Sequence, residues 1–149
     1  MTYAPKHSMF VATPVIVPIR ADEVSAVWNE AAPLIRVAQK RIERNTGMAD
    51  IYEDLIAGKM MLWTIRIEDK LRAIIVTEIA QHPRRRVWRI LLNGGSGMSE
   101  WMDHGIEAMK RAARIAGCSS IEADGRLGWS KFAPRFGFRE ISRTYEMEI

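Results

Sequence analysis

The chain has a single cysteine, Cys118, which excludes an internal disulfide framework and any zinc site built on cysteines. One thiol fits a reducing compartment. Apolar runs are short, and none reaches the ~18 residues that a membrane-spanning helix needs. The N-terminus lacks a charged region followed by an apolar stretch and a small-residue cleavage site, so a cytoplasmic location without a membrane partner is the expectation. Three histidines stand far apart in the chain, and no His, Asp and Glu group has the spacing of metal ligands, so no metal is expected. Charge of one sign is scarce as well. Lys and Arg number 22 against 18 Asp and Glu, a net +4, which is too mild to imply a nucleic-acid partner. Repeats, low-complexity tracts and linkers are all missing, so residues 1–149 read as one domain, large enough to bury its own core, with 1–9 as a flexible leading segment.

What is present is a change of periodicity along the chain. Phe10 to Ile19 is rich in Val and Ile but carries Pro14 and Pro18, which suits an edge strand. Asp22 is placed to cap a helix whose apolar face is Val24, Val27, Trp28 and Ala31. Pro33 is expected to end or kink that helix, or to open the next, in which Leu34, Ile35, Ala38 and Ile42 continue the apolar face. Thr46-Gly47 breaks the pattern before a short helix with Ile51, Leu55 and Ile56 inward and Gly58 at its end. Alternation then takes over in Met61 to Glu68, Leu71 to Ala80 and Val87 to Leu92. Asp69-Lys70 and Gln81–Arg85 are the intervening turns, giving an antiparallel meander of three strands.

Beyond Leu91 the chain reads LLNGGSGMSEWMDHGIEAMKRAARIAGCSSIEADGRLGWSKFAPRFGFREI. Its order is strand, glycine loop, amphipathic helix, short strand, short helix around Pro134, and a closing strand from Phe138 to Ile149. Trp101, Ile106, Met109, Ala113 and Ala116 form the helix's apolar face. A Gly-rich turn between a strand and a helix presents backbone N–H groups to an anion. In the same region Ser99 suits an N-cap, and Glu100 and Asp103 complement the helix dipole while opposing a phosphate there. His104 falls off the apolar face, as an exposed residue or an anion donor. Cys118 reads as a small buried filler, and Trp28, Trp63 and Trp101 as core. Arg126 stands between Gly125 and Gly128, where it either pairs with a local carboxylate or meets an anion. Arg84-Arg85-Arg86 is a solvated turn or a contact for an acidic partner.

A meander preceded by helices and followed by one helical crossover resembles the GNAT N-acetyltransferase superfamily, from about Phe10 to Ile149. The most specific local match is Phe132-Ala133-Pro134-Arg135-Phe136-Gly137-Phe138, similar to the short helix and Gly-Phe turn before that fold's last hairpin. The run GCSSIEADGRLGWSKFAPRFGF also resembles small GNAT-like proteins of tailed phages. The fold implied is α/β (α+β): a mixed, mostly antiparallel sheet with helices on both faces and one β-α-β crossover.

The resemblance further implies an acyl-CoA-dependent N-acyltransferase using acetyl-CoA and an amine acceptor. Acetyl-CoA would lie on Leu91, Leu92 and Asn93 and on the loop Gly94, Gly95, Ser96, Gly97, Met98 and Ser99, with Arg126 as a phosphate contact. The family's pattern is incomplete here. Leu92 occupies the position of its Gln or Arg, and Ala133 that of the tyrosine that protonates the departing thiolate. Counting back from Gly117, either the crossover helix is a turn longer than usual or the phosphate loop is lost. Glu78 is the nearest carboxylate for a general base, with an outward, solvated role as the alternative. These departures leave a second expectation open: a non-catalytic phage assembly or virion component, partnered by phage structural proteins. A nucleic-acid module on the Arg84–Arg86 turn is a weaker third. The sequence assigns no oligomeric state.

Overall fold

The computed structural model describes residues 12–42, 45–125 and 130–149. Five strands form one sheet in the order β1-β2-β3-β4-β5. They are β1 (Val15–Ile19), β2 (Met61–Ile67), β3 (Lys70–Gln81), β4 (Arg86–Gly95) and β5 (Ser120–Ala123). The first four run antiparallel and β5 lies parallel to β4. Helices α1 (Val24–Ile42) and α2 (Met48–Ile56) precede β2, and α3 (Met98–Ile115) makes the β4–β5 crossover. This is the mixed, mostly antiparallel α/β architecture expected from the sequence.

Alternation along the strands divides the core in two. One face carries Trp63, Ile65, Ala73, Ile75, Trp88 and Ile90, packed under Trp101, Met102, Ile106, Met109 and Ala113 of α3. The other carries Leu62, Ile74, Val76 and Leu92, packed under Val24, Ala31, Ile35 and Ala38 of α1 and Ile51 and Leu55 of α2. Trp63 and Trp88 meet edge to face at 6.1 Å, and the Trp63 indole donates to the buried Thr77 hydroxyl at 3.1 Å.

Two bulges interrupt the ladder. Ile65 pairs with Ala73 but Arg66 with Leu71, leaving Arg72 as the surplus residue of β3. Val76 pairs with Leu92 but Thr77 with Ile90, leaving Leu91 as the surplus residue of β4. Each swaps the faces that follow it. Leu71 and Ala73 pack against opposite cores, as do Ile90 and Leu92.

Four local expectations are corrected. Pro33 lies inside a continuous α1 and neither ends it nor opens a new helix. The missing N–H costs one intrahelical bond, while Ala31, Ile35 and Ala38, all nearly inaccessible, hold both halves against the sheet. Asp22 does not cap α1; it sits in a 3-10 turn, Ala21–Glu23, and pairs with Arg20 at 2.7 Å. Ser99 is not the α3 cap, because α3 starts one residue after Gly97. Finally, 138–149 forms no strand: residues 139–149 are all exposed and join no ladder. Alternation in that segment supplies one half of a strand, and among the described residues it pairs with no edge that supplies the other.

Candidate functional site

The Leu91 bulge sits where β4 and β5 part. Parallel pairing covers Val87 to Ile90 against Ser120 to Ala123 and then stops. Beyond it β4 continues to Gly95 on β3 alone, so among the described residues the outer backbone edge of Leu91–Gly95 is open. A bulge strengthens local twist and bends its strand, which is the physical reason for the fork. A cavity of about 120 Å³ lies at this fork. Its lining is Thr46 and Ile51 from the α2 end, Met60, Val76 of β3, Leu91 and Leu92 of β4, and Asp124 after β5.

The glycine run follows directly. Gly94 and Gly95 belong to β4, not to a loop, and only Ser96 and Gly97 turn the chain into α3. Packing within the protein accounts for these glycines. A Cβ on Gly94 would lie 2.6 Å from the Leu34 carbonyl oxygen of α1, and one on Gly95 would lie 2.2 Å from the Arg72 carbonyl oxygen. Gly95 also has φ 137° and Gly97 φ 71°, conformations that favour glycine. The Ser96 N–H donates to the Arg72 carbonyl at 3.0 Å, and the Trp101 indole donates to the Ser96 carbonyl at 3.0 Å. The turn is therefore locked before any ligand is considered. The crossover helix α3 opens directly after Gly97 and runs 18 residues, Met98–Ile115.

No side chain caps the start of α3, so its first N–H groups and the positive end of its dipole are available at Met98 and Ser99. Arg72 adds a cation at this spot. Its guanidinium lies against Gly97, with an Nη2 atom 2.7 Å from where a Gly97 Cβ would stand, and pairs with Glu100 at 3.2 Å. Glu100 therefore does not stand uncompensated against an anion. The sequence reading missed Arg72, and the only signal was a charged residue between Leu71 and Ala73 in an otherwise apolar strand.

On the α1–α2 side of the fork, Arg89 spans two carboxylates. It reaches Glu78, directly opposite on β3, at 3.2 Å, and Asp124, just after β5, at 3.2 Å. Glu78 is thus a paired, half-buried residue and not an outward, solvated one. Asp124, which sequence reasoning passed over, is the carboxylate that lines the cavity. Arg126 and Trp129 lie outside the described residues. His104 is exposed on α3, and Cys118 is a half-buried packing residue beside the α3 core. Among the described residues no group of His, Cys, Asp and Glu is arranged to hold a metal ion, and no helix is long and apolar enough to cross a membrane.

No family model matches the chain, and no curated protein matches it. Solved structures do. A probable acetyltransferase superposes with a TM-score of 0.69 at 15% identity, over 91% of this chain and 97% of its own. The aminoglycoside N-acetyltransferase AAC(6')-Iy, in complex with CoA, gives 0.65 at 14% identity, over 95% and 98%. A ribosomal-protein-alanine N-acetyltransferase from Brucella melitensis biovar Abortus 2308 gives 0.68 at 10% identity, over 92% and 99%. At these identities the likeness shows the fold, and the fold is that of the GNAT acetyltransferases.

Proposed function

We propose that this GNAT-fold chain is an N-acetyltransferase that takes an acetyl group from acetyl-CoA and delivers it to a primary amine. The observation that carries the reading is the fork, where an open β4 edge runs from a carboxylate-lined cavity at Leu91 to an uncapped helix start with an adjacent arginine. The names of the neighbours, one of them in complex with CoA, support it.

The residues present fit the donor. Backbone groups of Leu91, Leu92 and Asn93 offer hydrogen bonds along an unpaired edge, as amide-bearing chains require. The pyrophosphate is assigned to the N–H groups at Gly97, Met98 and Ser99, with Arg72 supplying the charge that Leu92 lacks. Arg126 remains part of this assignment as a phosphate contact. Acetyl-CoA contributes the thioester, and the chain orients the two reactants.

Asp124 and Glu78 receive the acceptor side. Asp124 attracts a cationic amine into the cavity, and Arg89 holds both carboxylates in place. The two carboxylates of the Glu78–Arg89–Asp124 group then take up two protons, one that the cationic amine must lose before it can attack and one lost from nitrogen as the amide forms. Ala133 supplies no proton to the leaving thiolate, so the thiolate leaves as such, at a cost in rate.

Calorimetry with acetyl-CoA and CoA tests the reading. Saturable binding that Arg72→Glu abolishes is expected, and an absence of heat at millimolar ligand overturns it. The neighbours named above are acetyltransferases, so the enzymatic reading is preferred to the phage virion alternative.

A further inference from the structure

The cavity at the fork has a size and a charge, and the two together select an acceptor. Its volume is about 120 Å³. An apolar cavity of about 150 Å³ takes one benzene ring, so on that scale this space takes a body of roughly five non-hydrogen atoms. The α1–α2 core supplies most of the lining. Ile51, Val76 and Leu92 are buried in that core, and Met60 and Leu91 pack against it. Thr46 completes the wall, and its carbonyl accepts from the Gln39 amide of α1 at 2.8 Å, which ties the lining residue to a helix.

The charge is limited to one carboxylate. Among the described residues Asp124 alone brings an acidic group to the lining, and with its side chain 63% exposed it stands at the mouth. Asp50, nearby on α2, is committed to the Gly47 N–H at 2.9 Å and does not line the cavity. Arg89 bridges Asp124 and Glu78 at 3.2 Å each. Two carboxylates against one guanidinium leave a single negative charge, enough for one ammonium group.

We infer that the acceptor is a monoamine with a short aliphatic body, about the size of butylamine. Its nitrogen lies at Asp124 and its carbons lie among Ile51, Met60 and Leu92. This rests on the acetyltransferase reading of the fork. A second ammonium on the same carbon chain would enter the aliphatic end, where nothing offsets the loss of its water. A longer chain exceeds the space. A peptide N-terminus fits less well, because its first amide needs hydrogen-bond partners. Asp124 is taken by Arg89 and the amine, and the β4 edge is assigned to the acyl donor.

Thiol release from acetyl-CoA tests this on the full chain, with butylamine, octylamine, diaminobutane, the aminoglycoside sisomicin and an alanine tripeptide amide as acceptors. In kcat/KM butylamine should exceed each of the others by about tenfold or more, the scale on which an apolar pocket discriminates. Met60→Ala widens the cavity and should move the optimum to a longer alkylamine. Met60→Glu adds a carboxylate to the aliphatic wall and should place diaminobutane ahead of butylamine. These are changes of preference, which a mere loss of stability would not produce. Preference of the unaltered chain for any of the other four acceptors overturns the inference. So does a Met60→Glu chain, folded by its far-UV spectrum, that still prefers butylamine. A chain that binds acetyl-CoA but acetylates none of these amines overturns it too, and leaves the donor site standing. Absence of acetyl-CoA binding in calorimetry removes the acetyltransferase reading itself, and this inference with it.

Discussion

Arg72 and Glu100 face each other at 3.2 Å across the turn where β4 becomes α3. Their pairing joins the bulge of β3 to the first turn of the crossover helix. It also decides the charge that an incoming anion meets. In Glu100→Gln the guanidinium is released and a repelling carboxylate is removed, so CoA affinity should rise. In Arg72→Ala it should fall, and the pair of changes should be non-additive. Titration calorimetry of the single and double variants checks this, and equal affinities throughout would remove Arg72 from the site.

Gly95→Ala should destabilise the fold whether or not a ligand binds. The added Cβ meets backbone at 2.2 Å and φ is 137°, so β3 and β4 must separate locally. Overpacking of this kind costs about 1–3 kcal/mol, and urea denaturation would read it as a lowered midpoint.

Thr77→Val keeps volume and removes the acceptor for the Trp63 indole, a bond of 3.1 Å in the α3-side core. An indole N–H left buried without a partner costs about 1–3 kcal/mol. Thr77→Ser retains the hydroxyl and should recover part of the loss, which separates the hydrogen bond from packing.

Glu30 of α1 and Arg66 of β2 form a two-point ion pair. The hydrogen bond from Arg66 holds the Glu30 carboxyl below its ordinary value of 4.5. A depressed folded pKa contributes stability that is fully present above the unfolded value and is lost as pH falls through the folded one. Glu30→Gln should therefore lower stability at neutral pH and flatten its decline below about pH 4.5. Because Glu30 is half exposed, the effect should stay at or below about 1 kcal/mol. Thermal melts from pH 3 to 7, as a rough range around the reference value, would show it.

The helices and the first four strands were legible because their apolar positions repeat at the periods that packing demands. Val24, Ala31, Ile35 and Ala38 mark the buried face of α1, and Trp101, Ile106, Met109 and Ala113 that of α3. The continuity of α1 through Pro33 was not legible, since the sheet that steadies both halves is a tertiary partner. Neither bulge could be read from sequence, because a surplus residue is defined against the strand opposite. For the same reason Arg72 and Asp124 escaped notice, whereas Leu91–Gly97 could be placed between a strand and a helix from its apolar and glycine pattern. The closing strand was expected from true alternation, yet pairing requires a second edge as well as a pattern.

The surplus residue at Leu91 also sets a parity along β4. Trp88 and Ile90 pack under α3 and Leu92 under α1, although unbroken alternation would give Ile90 and Leu92 the same face. Deleting Leu91 would leave Ile90 opposite Thr77 and Leu92 opposite Val76, now as adjacent residues on opposite faces. Both cores would keep their side chains, and Gly94 would stay beneath the Leu34 carbonyl of α1. What the deletion would remove is the bend at the fork. The gap between β4 and β5 is thus separable from the core, an opening that one residue can add or erase without repacking either layer.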